Sequence, residues 1–106
     1  MYPTQYKCKM FLDDERSPIT DDWAIVRSSQ EAIDHVKAYG MPVEIAFDHD
    51  LGGDDTSMVF LWWMVGELLD GNLVIPKEFT FSVHSQNPIG ARNIESLMEG
   101  ILYNFS

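Results

Sequence analysis

The segment Ile45-Ala46-Phe47-Asp48-His49-Asp50-Leu51-Gly52-Gly53 limits the possible folds of this chain more than any other. A short apolar run stops abruptly at an acid–imidazole–acid triplet and then at two glycines. Bounded by Pro42 and those glycines, the run reads as a strand buried on both faces, the usual situation in a parallel sheet. Open parallel sheets bind ligands just beyond the carboxyl ends of their strands, which is where Asp48, His49 and Asp50 fall. Three ionisable residues at that place serve function better than they serve structure.

The rest of the chain supplies the partners such a strand needs. Tyr6 to Leu12 is a first strand, stopped by Asp13-Asp14-Glu15-Arg16 and Ser17-Pro18; Trp23 to Val26 is a second, ending at Arg27-Ser28-Ser29. Ser28 and Glu31 form a capping box, after which Ala32, Ile33, Val36 and Tyr39 recur at helical spacing up to Gly40. A third strand, Val43 to Phe47, precedes a helix that starts near Asp55 or Thr56 and runs to about Leu69. Its run Met58 to Val65 is apolar around the whole cylinder, so this helix is either buried on most sides or part of an interface. Trp62 and Trp63 are the candidates for a homodimer or host-protein contact. Phe79 to Val83 alternates as a half-exposed edge strand does, and Asn87-Pro88 opens a last helix with a core stripe from Ile94 to Phe105.

The order β-β-α-β-α-β-α calls for right-handed crossovers and a parallel sheet. The first connection is polar, contains proline and is tight for a crossover with a full helix. The expected fold is one three-layer α/β domain over residues 1–106, a truncated flavodoxin-like sheet of four strands in the order 2-1-3-4.

Seventeen acids against seven bases give a net charge of −10, the opposite of the basic footprint of a duplex nucleic-acid binder. A small phosphorylated ligand held by a metal ion and a few arginines remains compatible. Cys8 is the single cysteine, so there is no disulfide framework and no thiol zinc site. With no signal-peptide pattern and no apolar run near the roughly 20 residues needed to span a bilayer, the expected location is the cytoplasm, away from membranes.

The expected topology brings four strand ends together: Asp13 to Arg16, Arg27-Ser28, Asp48 to Asp50 and His84 to Asn87. Gathered carboxylates repel one another unless a cation compensates. Oxygen donors from Asp13 or Asp14 and Asp48, with room for water, describe a Mg²⁺-type site. His49 and His84 would stand at its rim as proton shuttles, whereas His35 reads as an ordinary helix residue. Arg16 and Arg27 are candidates for a phosphate clamp, or for balancing the acids. The start of the last helix, with Ser85, Asn87, Gly90 and Arg92, is a candidate phosphate site.

Three motifs carry a resemblance: Leu12-Asp13-Asp14-Glu15-Arg16-Ser17-Pro18, Phe47-Asp48-His49-Asp50-Leu51-Gly52 and Val83-His84-Ser85-Gln86-Asn87-Pro88. With Trp23, Val26-Arg27-Ser28 and Gly90-Ala91-Arg92-Asn93, they resemble the cyclic-phosphate processing receiver domain, a bacterial and bacteriophage offshoot of response-regulator receivers. The resemblance implies a receiver-like fold, a Mg²⁺ ion held by Asp13 and Asp14, and Asp48 in the place of the receiver phosphoacceptor. Asp50, His49 and His84 match the family's own signature, with Asp50 added to the metal group. Two departures stand out. The fifth strand and its lysine do not appear in this sequence, so phosphoryl signalling through Asp48 lacks its usual charge partner. Thr56-Ser57 also replaces the Thr-Gly pair common at the start of the helix after the third strand.

The resulting expectation is metal-dependent hydrolysis of a cyclic phosphate on a nucleotide or RNA end. Asp48, His49 and His84 would be catalytic, and Arg16, Arg27, Ser85, Asn87 and Arg92 would bind ligand. The alternatives are a module that sequesters a nucleotide without turning it over, and a protein-interaction module encoded by a phage.

Overall fold

The computed structural model describes residues 8–105. The elements are β1 (Lys9–Leu12), β2 (Trp23–Val26), α1 (Ser29–Tyr39), β3 (Glu44–Phe47), α2 (Ser57–Leu69), β4 (Thr80–Val83) and α3 (Pro88–Phe105). Part of the first expected strand, Tyr6 and Lys7, lies outside the described residues, and β3 and β4 each start one residue later than their apolar runs. The four strands are parallel in the expected order β2-β1-β3-β4. Their register aligns Val26, Leu12, Phe47 and Val83 in one row. The ladder extends one residue further, through Asp13 N–H to the Val26 carbonyl, Asp48 N–H to Leu12 and His84 N–H to Phe47. Arg27, Asp13, Asp48 and His84 therefore leave the sheet at the same level.

The helix caps follow the sequence closely. Ser28 Oγ accepts from Glu31 N–H at 3.0 Å, while the Glu31 carboxylate accepts from Arg27 N–H at 3.0 Å, one residue before the usual reciprocal partner. Gly40 takes φ 87° and donates to the Val36 carbonyl, ending α1. Thr56 is the N-cap of α2 without a side-chain bond. Asp55 instead accepts from Ser29 N–H at 2.8 Å and Ser29 Oγ at 2.5 Å, fastening the start of α1 to the loop before α2.

The layering needs a correction. The β2-to-β3 and β3-to-β4 crossovers move in the same direction across the sheet, so their right-handedness places α1 and α2 on one face. The helix α3 packs beside α2. Met10, Leu12, Val26, Ile45 and Phe47 join the three helices in a single buried core. The alternate residues Phe11, Trp23, Glu44, Ala46, Thr80 and Ser82 belong to the opposite face. Among the described residues no helix covers that face. The β1–β2 connection is too short for one and lies there as an irregular loop, with Ser17 to Thr20 against Phe11, Trp23 and Ala46. The domain is two-layered rather than three-layered.

No described helix is long and apolar enough to cross a membrane. In α2, Phe60, Leu61, Met64 and Leu68 are buried, while Val59, Trp62 and Leu69 form an exposed stripe. Trp63 turns inward and stacks on Phe60 at a centroid distance of 6.1 Å. The two tryptophans therefore have different duties, and only Trp62, 59% exposed, is free of the core. Trp62→Ala is expected to change unfolding free energy by less than about 0.5 kcal/mol, and Trp63→Ala to lower it by about 1–3 kcal/mol, in urea titrations of the two variants. Equal losses would contradict this division.

Candidate functional site

Asp13 is the first residue beyond β1, and its carboxylate is 1% exposed. One oxygen accepts from the backbone N–H groups of Glu15 (2.9 Å) and Arg16 (2.8 Å), which folds the chain back in an Asx-type turn. The other accepts from Arg16 Nε at 3.1 Å and lies 2.9 Å from His84 Nε2. Burial opposes ionisation of Asp13, but the two backbone donors, His84 and the Arg16 guanidinium outweigh it and hold the carboxyl below its ordinary range.

Asp48 follows β3 and is nearly buried. Its carboxylate accepts from His49 N–H at 2.9 Å, and its carbonyl accepts from Ser57 Oγ at the start of α2. Asp13, Asp14 and Asp48 each bring one oxygen to within 4.8 Å of the others. Arg16 Nη2 stands 3.6 Å from Asp48, so one guanidinium bridges Asp13 and Asp48. Three carboxylates so close suit a hard divalent cation with retained water, and the donor set contains no sulfur or imidazole that would favour zinc. The triad could hold a metal ion.

These groups line an open cavity of about 630 Å³. Asp50, Ser85 and Asn87 line it as expected; Glu15 and Gln86 also do, although nothing in their residue type singled them out. Gly52 completes the wall at φ 92°, where a Cβ would come 3.3 Å from Asp14 Oδ2. Glycine is needed there both for the left-handed backbone and for the space.

Other expected residues are placed differently. Arg27 donates to the carbonyls of Asp13 and Arg16 and to Ser17 Oγ, and it does not line the cavity. It holds the β1–β2 loop, whose turn presents it with carbonyls within reach. Arg92 is exposed on α3 and also outside the cavity. Asn87 caps α3 by accepting from Gly90 N–H at 3.0 Å, and Ser85 Oγ accepts from Asn87 N–H.

Neither histidine faces the acidic cavity. The His49 ring lies under α3, where a Cβ on Gly90 would come 2.4 Å from His49 Cγ. The close approach that Gly90 permits is thus to His49. His49 Nδ1 is 3.1 Å from Asp50, and hydrogen bonds from His49 and then Asn87 lower the Asp50 pKa. His84 stacks on Phe11, with centroids 4.7 Å apart and planes 12° apart, so that its Nε2 reaches Asp13 from the open face of the sheet.

Gly90→Ala is expected to cost about 1–3 kcal/mol by overpacking against His49. In a His49→Ala background the same change should be neutral or stabilising, since alanine favours a helix by about 1 kcal/mol over glycine. A double-mutant cycle by urea unfolding measures this, and equal penalties in both backgrounds would refute the contact. Asp13 gives a pH dependence of fixed sign. Its folded-state pKa is depressed, so its contribution is present above the ordinary carboxylate pKa near 4 and is lost as pH falls through the lower folded value. The stability of wild type relative to Asp13→Asn should therefore shrink as pH is lowered below about 4; a growing difference would contradict the hydrogen-bonded, ionised Asp13.

No curated protein and no solved structure matches the chain. A family model, the cyclic-phosphate processing receiver domain, matches residues 8–100, which include every strand, the acidic triad and both loops that carry His49 and His84. With the receiver-like sheet order and the strand-end acids in place, the chain belongs to the cyclic-phosphate processing receiver domain family.

Proposed function

We propose that the protein hydrolyses a cyclic phosphodiester on a nucleotide or RNA end, using Mg²⁺ or a similar divalent ion. The observation that carries this reading is the convergence of Asp13, Asp14 and Asp48 within 4.8 Å, bridged by Arg16 and touched by His84. The family's description supports the cyclic-phosphate part. Asp13, Asp14 and Asp48 would hold the ion, with Asp50 facing the same cavity. A bound ion would polarise a phosphoryl oxygen and draw down its negative charge. Arg16 is placed to pair with a second phosphate oxygen by exchanging its contact with Asp48. Ser85 and Gln86, also in the cavity wall, offer further hydrogen bonds. His84, held by Asp13 and by stacking, is the better candidate to protonate the leaving oxygen; His49, packed under α3, keeps Asp50 oriented.

One observation favours a second reading. Both imidazoles lie outside the acidic cavity, which suits a protein that binds and sequesters its nucleotide without cleaving it. A contact through the Val59–Trp62–Leu69 stripe, with a second copy or a host protein, is compatible with either reading.

Incubation with Mg²⁺ and 2′,3′-cyclic nucleotides separates these. Hydrolysis is expected to produce a nucleoside monophosphate, to stop on adding a chelator, and to fall at least 100-fold in an Asp48→Asn/His84→Ala double variant. Turnover no greater than that of the double variant, with unchanged ligand recovered from a calorimetrically tight complex, would establish sequestration instead.

A further inference from the structure

The open face of the sheet carries a second cavity, of about 470 Å³, that the acidic site does not account for. It forms because Ala46 and Ser82 are small where β3 and β4 cross the middle of that face, while Phe11, Trp23 and His84 rise around them. Phe11 and His84 stack face to face, and Trp23 meets Phe11 edge-on at 5.8 Å. The β1–β2 loop, with Pro18 and Ile19, forms the outer wall. The lining is predominantly apolar, but Glu44 and Ser82 are part of it; Lys9, in register beside Glu44 and 5.1 Å over the Trp23 ring, is the cation that faces that carboxylate.

Two features connect this cavity to the acidic one. Arg16 lines both. His84 lines the apolar cavity while its Nε2 touches Asp13 of the acidic triad, so one layer of side chains separates the two. An aromatic slot with a carboxylate acceptor, one side chain away from a phosphate-type site, matches a nucleotide in its parts. Aromatic rings stack on any base, and a carboxylate accepts from base N–H groups, best from the adjacent N1–H and N2–H of guanine.

We propose that the open-face cavity is a nucleobase pocket: the base of a nucleoside cyclic phosphate stacks among Phe11, Trp23 and His84 and donates to Glu44, while its phosphate lies at the acidic triad across Arg16. The inference rests on the phosphate reading of that triad. It also gives the irregular β1–β2 loop a use, since a helix in its place would cover the face.

Calorimetric titration in Mg²⁺ tests the pocket with two ligands, 2′,3′-cyclic GMP and base-free glycerol 1,2-cyclic phosphate. The nucleotide is expected to bind at least tenfold more tightly. Glu44→Gln and Ser82→Leu, both on the open face and outside the helix-side core, should each remove most of that advantage and leave the glycerol ligand's affinity unchanged. Equal affinities for the two ligands in wild type, or full retention of the nucleotide's advantage in both variants, would overturn the base pocket and leave the phosphate site standing. If neither ligand binds, the phosphate reading fails and the pocket with it.

Discussion

The carboxylate of Asp13 accepts two backbone N–H groups, one guanidinium and, across the end of the sheet, an imidazole. Those four contacts join the end of β1 to the end of β4, although β3 lies between them. They also set the position of Arg16, which in turn neutralises Asp48 and touches both cavities. A buried, ionised carboxylate is tolerable only with such a full set of partners. The site is therefore organised from Asp13 outward, and Asp14 and Asp48 complete a cation site around a carboxylate that the fold has already fixed.

The same β1–β2 connection explains the unusual shape of the sheet's other face. A right-handed crossover helix between β1 and β2 would lie there, opposite α1 and α2. The chain offers a short loop instead, tied down by Arg27 through the carbonyls of Asp13 and Arg16. Phe11 and Trp23, which such a helix would bury, are left half-exposed around a cavity. One shortened connection thus shapes both the acidic turn and the apolar slot.

Much of the fold was legible in the residues. The apolar runs ending at Leu12, Val26, Phe47 and Val83 place the strands, and the capping pair Ser28 and Glu31 places α1. The observed order β2-β1-β3-β4 is that of the expected flavodoxin-like layout, and right-handed crossovers then put α1 and α2 on one face. The expected third layer is absent among the described residues because the β1–β2 connection is too short to build a helix there. In the site, the acidic residues were legible from their type and position at strand ends. The arginines and histidines were not: Arg27 and Arg16 are both basic residues beside acids, yet only Arg16 lines the cavity.

What the sequence determined by itself is a parallel four-stranded sheet whose in-register ends deliver Asp13, Asp48 and His84 to one edge, because strand pattern and crossover handedness are local or topological properties. The tertiary structure alone decided which way the side chains turn once they arrive. Gly90 lets α3 settle on His49 and removes that ring from the cavity, and Phe11 holds His84 on the open face against Asp13. Both outcomes depend on contacts between residues tens of positions apart in the chain, where neither spacing nor residue type carries a signal.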